Sequence, residues 1–413
     1  MEVGVTTGPF LMVLLLSVTL PCAAALEDGR IGVLYISDPV RSPGFDFMRS
    51  EPVFSLGFVA ASLRGFGGWE LDDVHRAIRL YFPRSYASLV ESYDVIVLDN
   101  ANRNALSPSQ IEMLASAVQG GGLGLAMTGG WESFGGTGTN EPPWGDTAVG
   151  KLLPTRDVEN TWVEGGHVVI DDWDNEFVSS IPWDRPSPFM RSWHHNIVTL
   201  KEGAHLLAHT DRNGLKYGSA EHPLLVTWEL PVGARVLACT AEVSLMAITL
   251  SYGGVNYVPW DYYGDFTSNL MIYLAKRPVP QDVDLVHEAR SRAMETRTRR
   301  SMLVALLDFI ERFGANTNKL TEKIAEMDAI MASARQAYIN LDFARVSERY
   351  GRALGALQGI EQQALVLKER TVLWVFVIEW ACVSSTLLIG GFVIWTLMVR
   401  RRLYRAAGVT RLV

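Results

Sequence analysis

The sequence predicts an α/β domain on a doubly wound parallel sheet, followed by a helical stalk of coiled-coil type and one transmembrane helix. Three observations carry that expectation. Between residues 30 and 278, apolar runs of strand length alternate with helix signals, the pattern of a parallel sheet covered on both faces. Residues 282–370 contain no proline and space their apolar residues three and four apart, the 3.5-residue repeat of a coiled-coil seam. Trp380–Val399 is an uncharged run of 20 residues, about 30 Å of helix, enough to cross a bilayer core.

Composition agrees with this division. The 413 residues are 48% hydrophobic and 20% charged, which excludes a disordered or collagen-like chain. A net charge of −8 argues against a general nucleic-acid binder. The mean hydropathy of +0.11 is high for a soluble protein and calls for a membrane segment.

The first element is a leader. Phe10–Ala25 is apolar but too short to span, and it ends in Cys22-Ala23-Ala24-Ala25 before a polar stretch, so residues 1–25 read as a secretory signal. Its n-region lacks the usual basic residues. Cys22 is a second-choice lipidation site, since Pro21 before it fits such a site badly.

The body, residues 26–281, follows. Arg30–Ile36 is a buried-strand run ending at Ser37-Asp38, and Tyr93–Leu98 is another, ending at Asp99-Asn100. Ser107-Pro108 opens a helix that Gly120-Gly121-Gly122 closes, and Leu123–Met127 leads into the glycine loop Thr128–Gly136. A flavodoxin-like order is the natural expectation, with any site at the carboxyl ends of the strands. The candidate pocket is therefore Asp38, Asp99, Asn100, Gly129, Gly130, Glu132 and Ser133, where backbone amides could receive a carbohydrate or a small anionic ligand.

These same segments carry a resemblance. YDVIVLDN (Tyr93–Asn100), GGGLGLAMTGGWESFGG (Gly120–Gly136), Pro223–Trp228, Pro231–Ala238 and the closing helix Phe266–Ala275 together resemble the glutamine amidotransferase-like family. That family is a branch of the class I glutamine amidotransferase-like superfamily, and the segments are similar also to trehalose-utilisation-like proteins. The resemblance covers about residues 30–278, and GGWESFGG is its most specific block. It implies the superfamily's α/β fold, and it would imply a Cys-His-Glu triad were the residues present. The turn Met127-Thr128-Gly129-Gly130 has no cysteine, and Thr240-Ala241-Glu242-Val243 has no histidine where one belongs. Glutaminase chemistry is thus not expected, and Cys239, in mid-strand, is read as core.

Weaker constellations complete the body. Ser133 lies one residue off a G-x-S-x-G elbow. Asp171–Glu176 is acidic but lacks the glycine and distal Glu of a calcium loop. His194, His195, His205, His209 and His222 have no fixed ligand spacing, so neither metal nor cofactor is assigned. Many tryptophans and tyrosines, Trp131 and Trp260 among them, read as loops packed on the body, with sugar stacking as the alternative.

The stalk, residues 282–370, is predicted as three helical segments. Leu303, Leu306, Leu307, Ile310 and Phe313 form the first stripe, closed by Gly314. Leu320, Ile324, Met327, Met331, Ala334, Tyr338 and Leu341 form the second. Val346, Tyr350, Ala353, Leu357, Ile360, Ala364 and Leu367 form the third, after a turn at Asn340-Leu341-Asp342. Such seams fit self-packing, a homo-oligomer or another protein partner. The basic run Arg290–Arg300 reads as a solvated face, with an acidic docking partner as the alternative.

Residues 371–399 form the membrane element, with Glu379 expected at its outer interface. Arg400, Arg401, Arg402, Arg405 and Arg411 follow in a tail, 400–413, which the positive-inside rule places in the cytoplasm. Setting aside those arginines, Glu2 and Glu379 leaves 32 basic against 43 acidic residues on the exported side. Cys239 is the one ectodomain cysteine, so no intramolecular disulfide is available, and the absence of sequons fits a prokaryotic cell-membrane protein. The expectation is a non-catalytic surface protein for ligand binding or assembly, against a glycan or amide hydrolase using Glu132 or Asp99.

Overall fold

The computed structural model describes residues 29–37, 43–62, 70–136, 142–164, 167–185, 194–211, 221–241 and 260–409. The chain divides into two compact units, Met1–Val283 and Asp284–Val413.

The first unit is mixed α/β. Its strands are β1 (Ile31–Ser37), β2 (Phe54–Ala60), β3 (Val95–Asp99), β4 (Gly124–Thr128), β5 (Thr155–Glu164), β6 (His167–Ile170), β7 (His194–Leu200), β8 (His205–Asp211), β9 (Glu221–Glu229) and β10 (Arg235–Cys239). Eight of them form one sheet in the order β2-β1-β3-β4-β10-β9-β8-β6. The β2 to β10 half is parallel throughout, whereas β9, β8 and β6 join by antiparallel pairing. The expected parallel sheet is therefore half of a larger, mixed one. The reason lies in the residues: β9 and β10 are joined by Leu230–Ala234, a hairpin in which Leu230 and Ala234 are hydrogen-bonded, and a loop that short enforces antiparallel pairing. β5 and β7 form a separate antiparallel pair with a bulge between Asp157 and Trp162.

Helices α1 (Pro43–Ser50), α2 (Leu71–Tyr81), α3 (Tyr86–Ser92), α4 (Pro108–Gln119), α5 (Ala148–Leu152) and α6 (Tyr263–Leu274) belong to this unit. α4 starts as the sequence predicts: Ser107 caps the Gln110 amide while the Gln110 side chain returns to Ser107, with Pro108 at the first helical position. Its buried face, Ile111, Leu114, Ala115 and Val118, packs in one core with Leu34, Ile36, Ile96, Leu98, Leu125 and Met127 of the central strands. All residues of β1, β3 and β4 are buried, which is why these strands read as continuous apolar runs rather than alternating ones.

The second unit is helical: α7 (Val283–Arg312), α8 (Asn318–Ile339) and α9 (Phe343–Val409). Gly314, at φ +83°, follows α7, and Leu341, at φ +57°, stands in the turn before α9. The three predicted stripes meet each other. Leu303, Leu307 and Ile310 of α7, Leu320, Ile324 and Met327 of α8, and Ala353, Leu357, Ile360 and Ala364 of α9 form one buried cluster. The seams thus fill an intramolecular bundle, while Phe313 stays 44% exposed. Arg300 closes the flank with two bonds to Asp328, at 2.6 and 2.7 Å. Beyond Thr371 no described residue of α9 is buried. That portion is long and apolar enough to cross a membrane, with a mean hydropathy of 2.0 over its best window.

Candidate functional site

Strand register assembles the strand-end cluster. β1 and β3 pair Ser37 with Asp99, and β3 and β4 pair Asp99 with Thr128, so the three side chains emerge together on one face, with Tyr35 two residues back on the same face. Asp99 accepts from the Tyr35 hydroxyl at 2.5 Å, from Ser37 at 3.3 Å and from Thr128 at 2.5 Å. The Tyr35 ring is held in turn against Phe45 and Phe58. Asp99 is thus a buried acceptor saturated by hydroxyl donors.

The next layer is the glycine loop. Asn100, in the left-handed region at φ +48°, turns its amide oxygen to accept from the Glu132 amide at 2.9 Å. Gly130 has φ +145°, and a Cβ there would lie 2.4 Å from the Asn100 amide oxygen; at Gly129 it would lie 1.8 Å from the Thr240 carbonyl. Both positions require glycine. Asn196 of β7 clamps the loop: its oxygen accepts from the Gly130 amide at 2.9 Å and its nitrogen donates to the Gly130 carbonyl at 3.1 Å. Asn102 donates to Glu132 Oε1 at 2.8 Å, and the fully buried Trp144 donates to the Ala101 carbonyl at 3.0 Å.

Of the seven residues that the sequence singles out, Asp38 lies outside the described residues. The other six lie together in a packed interior: Asp99 is 1% exposed, Asn100 6%, Glu132 1% and Ser133 0%. The Ser133 hydroxyl is buried without a hydrogen-bond partner, so among the described residues no base is in place to activate it. Phe134 is also fully buried beneath the loop, and Trp131 packs edge-on against Trp162 at 5.3 Å. Cys239 is core, and burial pushes its thiol up to about 12, so it is not a thiolate nucleophile at neutral pH.

A more open place lies beside this cluster. A cavity of about 220 Å³ is lined by Gly145, Asp146, Thr155, Arg156, Asp157 and Lys201, among others. Thr155 and Asp157 share one face of β5 two residues apart. Asp157 Oδ2 accepts from the Gly145 amide at 2.7 Å, while Oδ1 and the Thr155 hydroxyl are buried without hydrogen-bond partners. Lys201 spends its ammonium on the carbonyls of Gly150, Lys151 and Leu153, at 3.1, 3.1 and 2.7 Å. Burial raises the Asp157 carboxyl to about 6, outweighing the Gly145 amide and the Lys201 charge, both of which lower it. Burial likewise lowers Lys201, against the pull of Asp157. A carboxyl poised near neutrality in a cleft can take up and release a proton. Neither residue follows from the sequence, because they converge only through the pairing of β5 with β7 and carry no motif. A second cleft, of about 480 Å³, lies between α2 and α4, with His75, Arg103, Glu112, Asp146 and Lys151 on its walls.

The described histidines His195 and His209 are held in separate contacts. His195 Nε2 is 3.0 Å from the Thr210 hydroxyl, His209 is 2.8 Å from Asp171, and the side chain of His194 lies outside the described residues. Among the described residues, no three His, Cys, Asp or Glu side chains converge as a cation would require. In the acidic run, Asn175 caps the amides of Phe177 and Val178, which makes the segment a turn.

Compared with known protein families and with curated proteins, the chain matches none.

Proposed function

We propose that the protein is a single-pass surface protein of the cell membrane whose α/β domain is displayed outside, on a helical stalk, for ligand binding or protein assembly. On this reading the domain is a non-catalytic relative of the class I glutamine amidotransferases with a flavodoxin-like core. The strand order β2-β1-β3-β4, extended by parallel β10, favours that core. The observation that carries the non-catalytic reading is the strand-end cluster itself. Where an enzyme of this fold would keep an open site, Asp99, Asn100, Glu132 and Ser133 are sealed from solvent, and Asp99 and Asn100 are committed to internal hydrogen bonds. Arg400, Arg401, Arg402 and Arg405 behind the apolar segment favour an inward carboxyl end.

The test has two arms. A carboxyl-terminal tag on the intact chain should resist protease added to whole cells while the amino-terminal domain is digested; a tag cleaved in intact cells would overturn the orientation. Purified protein should release no ammonia from glutamine above its Cys239→Ala variant; release that the variant abolishes would restore the glutaminase reading.

One observation favours a second reading, an acid–base hydrolase acting on glycans or amides. Asp157, with its carboxyl near 6, is the described side chain best placed for proton transfer, rather than Glu132 or Asp99. Asp157→Asn would abolish any such turnover, and an unchanged rate would remove this reading.

A further inference from the structure

Among the described residues, the helical unit exposes an apolar patch near the end of α7, and its position says what covers it. Phe309 and Phe313, one turn apart near the end of α7, are each 44% exposed, with ring centroids 4.9 Å apart. α8 runs antiparallel to α9, and Lys323 donates to Gln363 at 2.7 Å. Thr317, six residues earlier on α8, therefore stands about 9 Å further along α9, level with residue 369. α7 runs parallel to α9, with Arg292 2.8 Å from Ser347 and Arg299 3.6 Å from Glu361, so Phe313, about 32 and 21 Å beyond those contacts, lies level with residues 368–375. The two estimates bracket Thr371, the last buried residue of α9, and Val372, where its exposed apolar portion begins. Phe309 and Phe313 thus stand near the level at which α9 becomes exposed and apolar, close below Trp374 and Phe376, which are 66% and 56% exposed and fit an aromatic belt at lipid headgroups.

We propose that the α7–α8 end of the bundle is a second membrane contact, with Phe309 and Phe313 inserted among the headgroups of the leaflet that α9 enters. This rests on the reading of α9 as a membrane span. Two facts favour lipid over a second copy of the chain. The exposed residues Met302, Phe309 and Phe313, with half-buried Leu306 between them, cover only about 16 Å, under the three to four heptads that a coiled-coil pairing needs. This patch also ends close to the level at which α9 becomes apolar and exposed, from Val372 onward. The charges of residues 308–323 balance, Asp308, Glu311 and Glu322 against Arg312, Lys319 and Lys323, so the contact depends on aromatic insertion rather than on lipid charge.

Spin labels test this in the full-length chain, reconstituted in phosphatidylcholine nanodiscs after replacement of Cys22, Cys239 and Cys382 by alanine. Labels are placed at Phe313→Cys, at Asn340→Cys in the opposite turn and at Leu387→Cys within the apolar segment. The ratio of oxygen to nickel-chelate accessibility at 313 should fall between the values at 340 and 387, and stay unchanged in molar salt. A ratio at 313 equal to that at 340 overturns the proposal. So does spin–spin coupling between labels at 313, which would show a second copy on the patch. A water-exposed label at 387 would instead refute the membrane span itself. As a check independent of the cysteine replacements, hydrogen exchange of residues 309–318 in nanodiscs should quicken in Phe309→Ser/Phe313→Ser, and equal rates also overturn the proposal.

Discussion

Asp99 accepts from Tyr35, Ser37 and Thr128 while 1% exposed, so its carboxylate holds three strands at one level. Asp99→Asn keeps the volume but turns a donor toward a hydroxyl, and it should cost about 2 kcal/mol in urea unfolding. Gly129→Ala should cost about 3 kcal/mol or more, because its methyl has no room beside the Thr240 carbonyl. Asp157 acts through pH. Its carboxyl is raised in the fold, so the protonated form is the one the fold prefers. The associated stability is fully present below the unfolded value near 3.9 and is lost as pH rises through about 6. Stability should therefore fall by about 2 kcal/mol across that window, discounted for partial solvent screening, and Asp157→Asn should flatten the profile. Sequence reasoning placed Asp99, Asn100 and Glu132 together because strand ends and glycine loops are local signals. It missed Asn196, Trp144 and Asp157, whose partners lie 66, 43 and 12 residues away along the chain. Proximity is legible where openness is not: spacing places side chains at one end of a sheet but does not tell whether neighbours close over them.

Helices were more legible than strands. The 3.5-residue spacing named Leu303, Leu320, Leu357 and their neighbours, and the same residues fill the bundle interior. Leu357, fully buried in that cluster, should when replaced by alanine destabilise the helical unit by about 3 kcal/mol, read as a lower melting temperature of its far-UV signal. Arg300→Ala, which removes a half-exposed pair with Asp328, should cost less than about 1 kcal/mol by the same measure. The antiparallel half of the sheet was the illegible part. β8 and β9 carry short apolar stretches that read equally well as parallel strands, and β9 takes its direction from the short hairpin Leu230–Ala234 that joins it to β10.

The apolar segment beyond Thr371 dominates how the molecule as a whole should behave. Chain ending at residue 371 retains the bundle seam through Ala364 and Leu367 and loses the exposed apolar surface. It should move from the membrane pellet to the supernatant after cell lysis without detergent, whereas the full chain should resist carbonate extraction; a truncated chain that stays in the pellet would mean that something other than this segment holds it. α9 has a mechanical consequence as well. It is one helix of 67 residues, Phe343–Val409, about 100 Å long, and it contains no proline. Without proline the backbone hydrogen-bond ladder is not interrupted by a missing donor, so turning the helix about its own axis involves the seam around Leu357 as well as the apolar segment. Twisting one end by a single residue step, about 100°, would carry every seam residue out of its socket. Axial rotation of α9 and repacking of the bundle are therefore coupled.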